Sequence, residues 1–227
     1  MSDLAQQAAE ITTRKLNVSI NRYGSATWVL AGGTSPLSAY KIIAKQYIDK
    51  VDWQKVTVLI GDERCVPPNH PDSNWKQISK VLLSRLPILA SNQYRPDSTL
   101  AIKDMATHYE KVLSNLPKTK NGLPRLDCLW LGIGEDGHTL SMFPGQEAVW
   151  KADNLVVAVY NSPKPPPERI SLSLKTLGGV SSCLVLASGE AKNAVATRAQ
   201  HGDMTLPITR AVHTIESAGG SVQWLMD

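Results

Sequence analysis

Four short apolar runs in this chain each end in glycine and polar or charged residues, and no other feature limits its possible folds so strongly. Residues 27–31 (TWVLA) lead into Gly32, Gly33, Thr34 and Ser35, and residues 56–60 (VTVLI) into Gly61, Asp62, Glu63 and Arg64. Residues 126–133 lead into Gly134, Glu135, Asp136, Gly137 and His138, and residues 183–187 (CLVLA) into Ser188, Gly189, Glu190, Ala191 and Lys192. Apolar runs of this length with almost no alternation are strands buried on both faces, as in a parallel sheet covered by helices.

Helical periodicity fills the gaps. The stretch MSDLAQQAAEITTRKL reads as an amphipathic helix. Pro36 suits the first turn of a helix running through Tyr40 and Ile43 to Tyr47, with Thr34 or Ser35 as its cap. Trp75, Ile78, Val81, Leu82 and Leu86 share one helical face, with Asp72 or Ser73 as cap, and Tyr109, Val112, Leu113 and Leu116 share another. Residues 155–160 read as a further strand. Ile170, Leu172 and Leu174 alternate with polar residues and predict an extended segment, and the tail VQWLM predicts an edge strand. Alternating strands and helices predict an α/β three-layer sandwich with a largely parallel, Rossmann-like sheet. At 227 residues with 42% hydrophobic content, residues 1–227 fit one domain.

Composition narrows the partners. The net charge of +4 is spread along the chain without a basic block, which favours a small anionic substrate over nucleic acid. No apolar run approaches the ~20 residues of a membrane span. The N-terminal stretch lacks the basic-then-apolar order of a signal peptide, and Cys65, Cys128 and Cys183 lack metal-site or disulfide spacing. These features predict a soluble cytoplasmic protein. A monomer is favoured.

In parallel sheets the carboxyl ends of the strands share one edge, where ligands bind, so the four polar segments should converge. The Gly32, Gly33, Thr34, Ser35 turn presents free N–H groups at a helix N-terminus, suited to phosphate, although a plain capped helix would read the same. Arg64 offers a planar fork for an anion, held by Asp62; the alternative is an Asp–Arg pair that only ties the loop. Pro165, Pro166 and Pro167 carry Lys164 and Arg169 on an extended loop that is either part of the site or a rigid linker. Lys192 lies in the first turn of a helix, where a cation opposes the dipole unless an anion lies between them. Gly137 permits the turn that brings Asp136 and His138 together. His138 is the first candidate for a general base, oriented by Asp136; the alternative is a surface histidine in a glycine-rich turn. Ser141 lies outside a Gly-x-Ser-x-Gly elbow, which disfavours a serine nucleophile.

The segments LAGGTSP, GDERCVP, GIGEDGHTLSMFPG, SPKPPPERISLSL and SGEAK occur in the order found in 6-phosphogluconolactonases, and from about Leu30 onward the chain resembles that family. The DGHT-S-x-FPG and SPKPPPER segments carry the resemblance most specifically. It implies hydrolysis of 6-phosphoglucono-1,5-lactone in the oxidative pentose phosphate pathway, without metal or organic cofactor. The implied fold is shared with glucosamine-6-phosphate and ribose-5-phosphate isomerases. Cys65 stands where the family often has an aromatic residue and Glu135 where it often has proline. A sugar-phosphate isomerase-deaminase on the same fold is the alternative, but the related deaminases carry Phe-Asn-Glu-Pro where this chain has Ser141, Met142, Phe143 and Pro144. A non-catalytic sugar-phosphate-binding regulator is a third reading, and it has no need of Asp136 and His138.

Overall fold

The computed structural model describes residues 3–227. Its centre is a five-stranded parallel sheet in the order β2-β1-β4-β7-β8, made of β1 (Ala26–Leu30), β2 (Val56–Ile60), β4 (Cys128–Gly132), β7 (Ser182–Ala187) and β8 (Ser221–Met226). Every residue of β1 and β7 is buried. Since alternate side chains point to opposite faces, both faces of the sheet must be covered, which makes three layers. β8 is the edge strand expected from the tail, and its residues are mostly part-exposed.

Helix α1 (Asp3–Tyr23) forms because Leu4, Ala8, Thr12, Leu16 and Ile20 recur at helical spacing and are all buried. It crosses β1, β4, β7 and β8 and packs on α2 (Leu37–Gln46). Thr12 accepts a hydrogen bond from the buried indole of Trp130 at 2.8 Å, which satisfies two polar groups inside the core. Trp130 stacks on Tyr40 at 4.7 Å and meets Trp28 edge-on at 5.3 Å, so aromatic side chains of β1, β4 and α2 lock the sheet to its helical cover.

Two tyrosines close strand ends. The Tyr40 hydroxyl bonds both the N–H and the C=O of Ala31, each at 2.9 Å, just before the Gly32–Gly33 turn. Tyr109 of α4 (Ile102–Ser114) does the same for Ile60, at 2.8 and 3.0 Å. Each tyrosine holds the backbone at the end of a parallel strand, just before the segment that reaches the site.

A second, antiparallel sheet of three strands, β3-β6-β5, was not anticipated: β3 (Asp62–Arg64), β5 (Val156–Val159) and β6 (Arg169–Leu172). Residues 62–64 are therefore a strand and not a loop. The alternation through Ile170 and Leu172 is real but stops at Ser173, and Leu174 opens the short helix α6 (Leu174–Leu177). The remaining helices are α3 (Asn74–Ile78), α5 (Glu147–Trp150), α7 (Glu190–Gln200) and α8 (Pro207–Ser217). Ser73 caps α3 as expected, accepting from Lys76 N at 3.1 Å, but the helix continues as a π-helical turn, Ser79–Leu83. Neither Thr34 nor Ser35 caps α2. Its N-cap is Pro36, without a side-chain bond, because the Thr34 carbonyl already takes the Leu37 N–H.

Numbered by its own strands alone, the parallel sheet runs 2-1-3-4-5, and the direction of winding reverses between β1 and β4. Ligands in such sheets bind outside the carboxyl ends at that reversal. The Gly32–Gly33 turn and the Asp136–His138 turn leave β1 and β4 there.

Candidate active site

A cavity of about 340 Å³ opens at this crevice. It is lined by Gly32, Gly33, Thr34 and Ser35 from the β1 turn, Asp62 and Arg64 from β3, His138 after β4, Lys164 and Arg169 from the proline loop, and Lys192 from α7. Four segments distant in sequence, and the proline loop with them, thus meet in one place. Asp136 and Gly137 are not among the lining residues.

The Asp136-Gly137-His138 turn builds itself. The Asp136 carboxylate accepts the backbone N–H of His138 at 3.3 Å, an Asx-type turn. Gly137 takes φ +81°, and its N–H reaches the Gly134 carbonyl at 2.9 Å. The same carboxylate meets His138 Nδ1 at 2.5 Å. That bond selects the tautomer with the proton on Nδ1 and leaves Nε2 with a lone pair. Burial lowers the His138 pKa below its ordinary 6.5, against the opposing pull of Asp136, so the ring is neutral at pH 7. For Asp136, burial acts upward but the hydrogen bond and charge of His138 outweigh it, and its pKa falls below 3.8. The pair is a neutral imidazole backed by a carboxylate. Phe143 packs on the imidazole with ring centroids 4.7 Å apart.

Elsewhere in the cavity the cations Arg64, Lys164, Arg169 and Lys192 outnumber the acids Asp62 and Glu135. In the β3–β6 register Arg64 stands directly opposite Arg169, a like-charge pair that disfavours the sheet unless an anion lies nearby. The expected Asp62–Arg64 pairing is absent. The Asp62 carboxylate instead accepts the buried Ser141 hydroxyl at 2.7 Å, and Arg64 Nη1 donates to the Asp72 carbonyl at 2.8 Å. With its hydroxyl committed to Asp62 and only 1% of its surface exposed, Ser141 is unsuited to nucleophilic attack.

Arg169 is 3% exposed and donates to the carbonyls of Lys164, Pro165 and Pro166 at 2.9, 3.3 and 3.0 Å. It therefore folds the proline loop, whose Pro165–Pro166 bond is cis, over the cavity. Lys164 Nζ lies 3.9 Å from Asp136 Oδ1. Lys192 Nζ leaves the α7 dipole and reaches Ser35 Oγ at 3.2 Å, joining α7 to the β1 turn. The anion at the start of α7 is intramolecular: Asp227 accepts Gly189 N–H at 2.9 Å and the Ser188 hydroxyl at 2.8 Å.

Three residues escaped the sequence reading. Asn74 is 2% exposed, lines the cavity and donates to the Asp62 carbonyl at 3.1 Å; a Cβ on Gly32 would overlap its carboxamide. Glu63 is 3% exposed and accepts the backbone N–H groups of Arg64, Asn74 and Trp75, each at 2.8 Å. Burial pushes its pKa up against those bonds. Leu140 lines the cavity at φ 53°, rare for a side chain of its size and a mark of local strain beside the site. The Glu63–Asn74 spacing across three prolines offers no local pattern to read, and the φ of Leu140 leaves no trace in residue type.

Residues 1–224 match the family model of glucosamine-6-phosphate isomerases/6-phosphogluconolactonase. The chain belongs to that family. Among relatives in the glucosamine-6-phosphate isomerase/6-phosphogluconolactonase family, the Arabidopsis thaliana protein named "Probable 6-phosphogluconolactonase 1" is 32% identical over 235 residues, covering 99% of this chain and 86% of the relative. The solved 6-phosphogluconolactonase of Thermotoga maritima superposes with a TM-score of 0.86 at 26% identity, over 100% of this chain and 96% of that one. The 6-phosphogluconolactonase of Trypanosoma brucei superposes with a TM-score of 0.84 at 26% identity, over 99% of this chain and 92% of that one.

Proposed function

We propose that the protein hydrolyses 6-phosphoglucono-1,5-lactone to 6-phosphogluconate in the pentose phosphate pathway. The carrying observation is the neutral His138, backed by Asp136 at 2.5 Å, on a cavity where the cations Arg64, Lys164, Arg169 and Lys192 outnumber the acids Asp62 and Glu135. His138 Nε2 takes a proton from water as the water oxygen bonds to the lactone carbonyl carbon. Asp136 stabilises the imidazolium that forms. Lys164, the cation beside Asp136, faces the oxyanion of the tetrahedral intermediate. Collapse breaks the bond to the ring oxygen, which takes the proton back from His138, and the new carboxylic acid releases its remaining proton to solvent to give the open-chain carboxylate.

The 6-phosphate is assigned to the N–H groups of Gly32 and Gly33, the hydroxyls of Thr34 and Ser35, and the charges of Arg64 and Lys192. Asp62 and Arg169 complete the binding set as cavity walls, and Gly137 belongs to it through the turn that places His138. The isomerase-deaminase reading is weaker because the stretch after His138 supplies Thr139, Leu140, Ser141, Met142 and Phe143 with no further carboxylate to move protons along an opened sugar. Residues 1–227 are read as one catalytic domain, since a single apolar cluster includes both Leu4 and Leu225. No helix among the described residues is long and apolar enough to cross a membrane. A cytoplasmic monomer is our reading. Burial pushes the Cys128 thiol up to about 12, which leaves it an inert core group.

The test is a coupled assay on purified protein, corrected for spontaneous lactone hydrolysis and run beside glucosamine-6-phosphate. Rapid product formation that survives exhaustive chelation, with no ammonia release, supports the reading. Ammonia release comparable to lactone turnover overturns the choice of enzyme. Size-exclusion chromatography with light scattering tests the monomer, and cell fractionation tests the compartment.

A further inference from the structure

A second groove, of about 720 Å³, is walled by α2 on one side and by Gln77 of α3, the π-helical turn and Arg85 on the other. Leu37, Ala44 and Val81 form an apolar floor, while Lys41, Lys45, Lys80 and Arg85 line it with positive charge. It shares no lining residue with the catalytic cavity.

We propose that this groove is a binding site for an organic polyphosphate of nucleotide type, with several phosphates joined to a flat apolar body. The charge distribution is the first reason. Lys41 and Lys45 are one turn apart on α2, an arrangement of like charges that disfavours a helix. Lys80 and Arg85 belong to the opposite wall. Among the described residues none of the four forms an ion pair with a carboxylate, and no acid lines the groove. Four cations gathered without counter-charge call for an anion with more than one negative group, able to reach both walls.

The apolar floor is the second reason. A bare inorganic anion would leave Leu37, Ala44 and Val81 uncovered, whereas an aromatic base laid over them removes that surface from water. Size is the third. The volume falls within the range of about 300–1,000 Å³ for small-ligand clefts, and a folded partner protein would demand a far broader contact. The wall carrying Lys80 and Val81 is π-helical, a widened turn that recurs at functional sites.

The experiment is calorimetric titration of the full chain with ATP, chelator present and ionic strength low. It is repeated with inorganic tripolyphosphate and in two variants. K41E/K80E reverses one charge on each wall and lies outside the catalytic cavity. Arg64→Ala disarms the catalytic cavity, so nucleotide lodged there instead would be revealed. The proposal predicts one bound ATP, tripolyphosphate weaker by about tenfold or more, and an affinity loss of about tenfold or more in K41E/K80E. It also predicts unchanged ATP affinity in Arg64→Ala, and normal circular dichroism and unchanged basal turnover in K41E/K80E. Absence of ATP binding at millimolar concentration overturns it. So does tripolyphosphate binding as tightly as ATP, or an affinity that depends on Arg64 and is indifferent to Lys41 and Lys80. Because the readout is binding, the result stands apart from whether the catalytic cavity hydrolyses a lactone.

Discussion

Gly134 and His138 occupy one space: a Cβ on Gly134 would overlap Nδ1 and Cε1 of the imidazole, and the Asp136 carboxylate lies just beyond. The glycine is thus required by contact with the His138–Asp136 pair and not by backbone conformation. Gly134→Ala should displace the ring and lower turnover ~10²-fold, the usual scale for a misplacement of about 1 Å. Its urea midpoint should move little, because the φ of Gly134 is negative and suits alanine. Activity and denaturation measured on one preparation check this, and equal loss of both would contradict it.

The pH profile follows from the direction of the His138 shift. Burial lowers its pKa, so the ring is neutral and basic at pH 7 and is protonated only as pH falls through a value below 6.5. Background-corrected kcat/KM should be level above neutrality and fall on an acid limb with its midpoint below 6.5. Asp136 opposes the shift, so Asp136→Asn should move the limb to still lower pH while reducing turnover. A limb moving upward in that variant would contradict the pairing.

Much of this site was legible because parallel topology turns sequence position into spatial position. Each apolar run ends at the same sheet edge, so Gly32, Arg64, His138 and Lys192 could be brought together before any coordinates. The antiparallel sheet was not legible. Its strands β3, β5 and β6 are short, and β3 follows β2 after Gly61 alone, so nothing in GDER separates strand from loop. Asp62 was paired with Arg64 on proximity, but Ser141, 79 residues away, takes its carboxylate, a partnership that chain order does not display. Lys192 was expected to share an anion with the start of its helix, and the carboxylate found at that helix is Asp227, brought in by β8.

The facing pair Arg64 and Arg169 should respond differently to removal. Arg64 has one backbone partner and extends into the cavity, so Arg64→Ala should weaken 6-phosphogluconate binding by about tenfold or more with little loss of stability. Lys192→Ala should do the same. Arg169→Ala removes three bonds to the proline loop and should lower Tm as well. Calorimetry with product and thermal melts separate the two roles; equal melts for Arg64→Ala and Arg169→Ala would contradict them.

Glu63 holds the start of α3 through the backbone N–H groups of Asn74 and Trp75 and the Ser73 hydroxyl, and also accepts the N–H of its neighbour Arg64. Glu63→Ala leaves these donors facing a dry pocket and should cost about 3 kcal/mol or more in urea unfolding, since each unsatisfied buried group costs about 1–3 kcal/mol. A loss under about 1 kcal/mol would show that water replaces the carboxylate.

The central claim is that His138 is the base of a lactone hydrolase, and the most direct measurement is background-corrected turnover of 6-phosphogluconolactone by wild-type and His138→Ala protein side by side. The account predicts rapid turnover by the wild type and a fall of ~10²-fold or more in the variant, with product affinity largely kept because the phosphate is held elsewhere. Near-normal turnover by His138→Ala would contradict it.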